Sequence, residues 1–97
     1  MFVGSLECDV LLGDVRSLKQ KRSLVRPVVA ELKRRLEVSA AEVGQHDLHR
    51  RAVLGVAIVA GDAAHCTEVL DDAERLIASR PELELLSVRR ALRSSDD

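Results

Sequence analysis

From Phe2 to Leu12 the chain alternates. Phe2, Leu6, Cys8, Val10 and Leu12 fall on one side, and Ser5, Glu7 and Asp9 on the other. A period of two over that length predicts a strand with one face in a core, closed by Gly13-Asp14. The period then changes. At 100° per residue, Leu24, Val25, Val28, Val29, Leu32 and Leu36 share one arc, and Lys19, Arg22, Arg26 and Lys33 share the opposite one. That pattern predicts an amphipathic helix over Ser17 to Leu36, opened by a capping box of Ser17 with Gln20 three residues later. Two residues disturb it. Pro27 lacks an N–H and crowds the Ser23 carbonyl, and Lys21 falls inside the apolar arc. Both predict a short first segment with a kink or restart near Pro27, one continuous bent helix being the alternative.

Val38 to Val43 is short and β-compatible, Gly44 ends it, and polar Gln45 to Arg50 predicts a hairpin loop. Arg51 to Ala60 carries small and β-branched residues on both faces, as a central strand covered on both sides does. After Gly61, Asp62 is a good N-cap for a helix over Ala63 to Ser79, with Cys66, Val69, Leu70, Ala73, Leu76 and Ile77 on its apolar arc. Pro81 follows as a stop. Glu82 to Leu92 opens with Leu83 and Leu85 alternating against Glu82 and Glu84, predicting a last strand, and Ser94 to Asp97 is expected to be a loose tail. The order β-α-β-β-α-β predicts one α+β domain over residues 1–93. Its expected fold is ferredoxin-like, a four-stranded antiparallel sheet with two helices on one face. The third strand then leaves an apolar row on the open face, for which a second copy of the chain, forming a homodimer, is the simplest cover.

Composition narrows the function more than it identifies one. With 46% hydrophobic and 32% charged residues the 97-residue chain is expected to be globular, and its apolar run Ala52–Ala60 is far too short to span a membrane. Met1 leads directly into the first strand without a basic and then apolar leader, so the expected location is cytoplasmic. Two cysteines far apart suit a reducing compartment. The net charge of −1 conceals an asymmetry: Arg16 to Arg35 holds eight bases and one acid, whereas Asp62 to Glu84 holds seven acids and two bases. The plainer explanation is a basic and an acidic helix side by side with ion pairs between them. The other is a surface that meets nucleic acid.

Catalytic constellations are missing. No GxSxG elbow, phosphate loop or CxxC is present, so no enzymatic activity and no cofactor are expected. His46, Asp47, His49, His65 and Cys66 are the right residue types for zinc, but they form no second convincing ligand pair, and solvated histidines with a packed thiol are the expected state. Phe2 is the only aromatic residue among Phe, Trp and Tyr, which excludes base stacking on sheet aromatics. What remains is backbone contact. The candidate RNA-binding residues are Lys19, Lys21, Arg22, Arg26, Lys33 and Arg34, with Arg50 and Arg51 after the hairpin loop.

SLKQKRS at 17–23, Pro27, VSAAEV at 38–43, Asp47 with Arg50-Arg51, and LGVAIV at 54–59 together resemble the YlxP-like family of small bacterial proteins of unknown function. The resemblance is strong to about Ala60 and thins through the second helix. It implies a ferredoxin-like fold, no established catalysis, and genes often found beside those for translation initiation and ribosome maturation factors. His49 stands where an aromatic residue is expected. The recurring LKxKR block also implies that Lys21 has a role of its own, as an ion-pair partner of Glu42 or Asp47 or as a ligand contact. The expected function is an accessory role in translation or ribosome assembly, binding RNA or a ribosomal protein through the first helix. The alternative is a structural or regulatory homodimer with no nucleic-acid role.

Overall fold

The computed structural model describes residues 1–96. Its elements are β1 (Phe2–Leu12), α1 (Leu18–Leu36), β2 (Ser39–Gly44), β3 (Arg51–Ala60), α2 (Ala63–Ala78) and β4 (Leu83–Ser94). The four strands form one antiparallel sheet in the order β2-β3-β1-β4, so β1 and β3 are central and β2 and β4 are edges. This is the ferredoxin-like arrangement the pattern predicts.

Alternation decides which face each strand buries. Leu6, Cys8, Val10 and Leu12 of β1 meet Ala52, Leu54 and Val56 of β3 beneath the two helices. From above, α1 contributes Val25, Val28 and Leu32, and α2 contributes Val69, Leu70, Ala73, Leu76 and Ile77. At Gly4 a Cβ would stand 3.1 Å from Leu70 Cδ1 and 3.3 Å from Cys66 Cβ, so the missing side chain is what lets α2 settle onto β1.

The helix ends follow their sequence signals with one variation. Ser17 Oγ accepts from the Gln20 N–H at 3.1 Å, but the Gln20 side chain reaches back to the Arg16 N–H at 2.7 Å rather than to Ser17. Asp62 caps α2 by accepting from the His65 N–H at 2.7 Å. Glu37 closes α1 in the left-handed region at φ 53°, its N–H donating to the Lys33 carbonyl.

Three expectations change. First, α1 runs through Pro27 as one helix with no restart. Pro27 and Ser23 are both exposed, so water can take the Ser23 carbonyl that proline leaves open. Second, the tail is tied down at its start: β4 continues to Ser94, and the Ser95 N–H donates to the Met1 carbonyl at 2.8 Å. Asp96 follows, and Asp97 lies outside the described residues. Third, β4 does not keep a simple alternation. Asp9 faces Ser87 and Val10 faces Leu85, which leaves Leu86 as a bulge. A second bulge falls at Val43 in β2, between Glu42 and Gly44.

Candidate nucleic-acid interface

The bases of α1 fall into two environments because of their phase on the helix. Lys19, Arg22, Arg26 and Lys33 repeat at three, four and seven residues and stand exposed along one flank, with Arg34 beside them. At 1.5 Å rise per residue the row from Lys19 to Lys33 is about 21 Å long. None of these five side chains forms an ion pair among the described residues.

Lys21 belongs to the other environment, and this corrects its assignment to the RNA-facing set. It points into the protein with 2% of its surface exposed. Its Nζ donates to the carbonyls of Gln45 at 2.9 Å, Arg51 at 3.2 Å and His46 at 3.3 Å, and lies 2.9 Å from Glu42 Oε2. An ammonium has three protons, so three carbonyls use its donor capacity. The contact with Glu42 is therefore chiefly Coulombic, in keeping with the absence of a hydrogen bond to that buried Oε2. Of the expected roles for Lys21, the ion pair with Glu42 is the one found. It ties α1 to both ends of the hairpin loop, where Gln45 adopts φ 59°.

Arg50 and Arg51 also lie apart from the stripe. Arg50 is exposed, but its Nε donates to the carbonyls of Gly13 at 2.8 Å and Leu12 at 3.3 Å and so braces the β1–α1 turn. Arg51 sits on the open sheet face in a two-pronged pair with Asp9, Nη2–Oδ2 2.5 Å and Nε–Oδ1 3.2 Å. The histidines are scattered. His46 Nε2 lies 3.2 Å from the Glu42 carbonyl, His49 is exposed in the loop, and His65 is in the first turn of α2. Cys66 is buried, its Sγ 3.9 Å from the Phe2 carbonyl. Among the described residues no three of the metal-ligating side chains converge.

The plainer explanation of the charge asymmetry does not hold. The acids of α2 face away from the stripe and meet a strand. Arg90 of β4 pairs with Asp71 at 2.8 Å and with Glu74 at 3.0 Å, and Asp72 pairs with Arg75 of its own helix at 3.4 Å. Partial burial works against the Arg90 charge, but the hydrogen bonds to Glu74 and Asp71 outweigh it and raise its pKa. Across the helix pair the signs are reversed: the acid is Glu31 of α1, and it pairs with Arg80 beyond α2 and with Arg35 at 3.0 Å. Beneath α2, the Cys8 thiol is pushed up to about 11, first by burial and then by the charge of Glu74, with Arg90 opposing.

Between the basic flank of α1 and the edge strand β2 runs a groove of about 430 Å³. Val25 and Val29 lie at its base, Arg22, Arg26 and Lys33 line its helix side with exposed Ala30 at the outer rim, and Glu42 of β2 and His46 of the following loop line the other side. The opposite side of the molecule is the open sheet face, where Glu7, Asp9 and Arg89 line a hollow of about 420 Å³. There Val43 folds over Gly55, and a Cβ on Gly55 would come within 2.9 Å of it. Val3, Val43 and Val59 are exposed on this face, Val59 by 63%. Sequence reasoning located the stripe and named Glu42 as a partner of Lys21, but missed the groove that Glu42 borders and the Arg90 clamp. The one signal for the acidic side of the groove was a lysine in an apolar arc, which demanded a buried acid.

Comparison with known proteins gives a family and a fold. A family model described as "Protein of unknown function (DUF503)" matches residues 3–90. The uncharacterized protein YlxP of Bacillus subtilis (strain 168) is 29% identical over 82 residues, covering 84% of this chain and 89% of that protein. Among solved structures, a de novo designed protein with a ferredoxin fold, LFR1 1, superposes with a TM-score of 0.57 at 13% identity, over 98% of this chain and 88% of its own. SnoaB, a cofactor-independent oxygenase from Streptomyces nogalater in its N63A form, gives 0.50 at 12% identity, over 98% and 94%. At such identities the two structures speak to the fold alone. Among the described residues no helix is long and apolar enough to cross a membrane.

Proposed function

The chain belongs to the DUF503 family of proteins of unknown function, and we propose that it is a non-catalytic cytoplasmic factor that docks on structured RNA of the ribosome through the exposed flank of α1. One observation carries this reading. Among the described residues Lys19, Arg22, Arg26, Lys33 and Arg34 have no acidic partner, although the acids at positions 9, 31, 42, 71, 72 and 74 all have basic ones. A row of bases left to solvent suits a polyanion, and phosphate contacts of this kind hold a backbone without reading sequence. The translation setting comes from the family resemblance rather than from the geometry.

The test is co-sedimentation with ribosomal subunits across a salt series, with wild type beside Lys19→Glu/Arg22→Glu/Arg26→Glu. Binding by wild type should weaken with salt, with a log–log slope of about −4 if all five bases touch phosphate. The triple variant should not sediment with either subunit. Absence of wild-type binding at low salt would remove the reading.

A second reading has its own observation, the exposure of Val3, Val43 and Val59 on the open sheet face. A homodimer joined through that face would cover them. Light scattering on wild type and Val59→Glu tests it, since a dimer built this way becomes monomeric in the variant. It leaves α1 free and is compatible with RNA docking.

A further inference from the structure

We propose that the groove between α1 and β2 receives one unpaired nucleotide, and that it selects a base carrying an exocyclic amino group. This rests on the RNA reading above and specifies its ligand.

The groove has two chemistries that a bare phosphate backbone does not need. Its base, Val25 and Val29, is apolar, and its strand side holds a carboxylate, Glu42, in otherwise basic surroundings. The Lys21 ammonium stands 2.9 Å from Oε2 as the partner of a carboxylate, and a carboxylate only accepts hydrogen bonds. The Glu42 side chain keeps 17% of its surface exposed although Oε2 is buried, so what it presents to the groove is the remainder of an anionic acceptor. A second anion at that end would be repelled. The ligand that fits is anionic where it meets Arg22, Arg26 and Lys33, flat and apolar over the floor, and a donor where it meets Glu42. An unstacked nucleotide combines these features in one unit.

Sequence-dependent RNA recognition works on such splayed bases, held against aromatic rings or the planes of arginine guanidinium groups. Phe2, the only Phe, Trp or Tyr residue, is on β1, so here one of the guanidinium groups of Arg22 and Arg26, one helical turn apart and without an ion pair among the described residues, supplies the cover while the other, with Lys33, meets the phosphate. A carboxylate accepts from the amino group of cytosine, and adenine and guanine carry amino donors of their own. Uracil has the O4 carbonyl where cytosine has its amino group, and its one donor on that edge, N3–H, is flanked by two carbonyl oxygens that the Glu42 carboxylate repels. Lys21 is a positioning residue in this scheme. By holding the carbonyls of Gln45 and His46 it fixes the loop from which His46 reaches the groove end.

The experiment is fluorescence anisotropy with three RNA hairpins that share one stem: uninterrupted, with a single bulged cytidine, and with a single bulged uridine. Each is titrated with wild type and with Ala30→Leu, which places a larger side chain at the rim of the groove, keeps a good helix former and alters no charge. Wild type should bind the cytidine bulge about tenfold more tightly than the uninterrupted stem and the uridine bulge no better than the stem. Ala30→Leu should bind all three like the uninterrupted stem, with the salt slope of wild type. Equal wild-type affinity for all three overturns the nucleotide pocket and leaves the stripe reading standing. No binding to any stem at low salt overturns both. A polyglutamate peptide that binds wild type but not Ala30→Leu, with no preference among the hairpins, reassigns the groove to an acidic protein segment.

Discussion

The two helices of this domain carry opposite charge and treat it differently. On α2 the acids at positions 71, 72 and 74 are held by Arg90 and Arg75, so the charge is used inside the molecule. On α1 one cation, Lys21, is drawn into the core and fully engaged, while five others stand in water with no acid beside them among the described residues. The near-neutral net charge of −1 therefore describes neither surface. Charge used in folding should register in stability when removed, and charge held for a partner should register only in binding.

The contrast can be broken at four places. Lys21→Met strands the Glu42 carboxylate and three carbonyls, and should cost about 3–5 kcal/mol in urea unfolding. Adding Glu42→Gln should recover part of that loss, since the two changes are coupled. An unchanged urea midpoint in Lys21→Met would refute its structural role.

The second place is Cys8, beneath α2. Its pKa rises from 9.0 to about 11 on folding, so between those values the unfolded thiol has lost its proton and the folded one has kept it. The unfolded state then binds fewer protons, and stability should fall as pH rises through that window, by about 1.4 kcal/mol per unit. Comparison with Cys8→Ala isolates the effect; identical pH profiles would show that the thiol makes no such contribution. Third, Arg90→Ala frees two partly exposed acids and should cost about 1 kcal/mol or less. Last, Arg22→Glu/Arg26→Glu should change the urea midpoint by an amount equivalent to less than about 0.5 kcal/mol. A larger loss would mean that the stripe contributes to the fold after all.

The strand and helix periods made the architecture readable from the sequence, because each is imposed by which side must be dry. The stripe was readable for the same reason. Lys21 was only half readable. Its phase inside the apolar arc set it apart and the family resemblance offered Glu42 as a partner, but the three carbonyls it holds come from a β-hairpin more than twenty residues away, and no local pattern names them. The groove was illegible, since it exists only where α1 overhangs an edge strand whose place in the sheet is set by topology. The charge asymmetry was readable as a count and misleading as a contact. Helix adjacency suggested ion pairs between α1 and α2, but the acids of α2 face β4. That pairing was hidden because the alternation of β4 slips a residue before Arg90.

That slip at Leu86 also bears on how the chain tolerates change in length. Where a strand pairs without a bulge, losing one residue turns every later side chain inside out, moving solvent groups into the core. Here the ladder holds a spare link, with Leu85 and Ser87 facing consecutive residues of β1. A chain lacking Leu86 would close the gap with Leu83 and Leu85 still turned inward, Arg90 still under the acids of α2, and Arg89 and Arg93 still on the open side. At this one point of β4 the sequence can shorten by a residue without exchanging its wet side for its dry one.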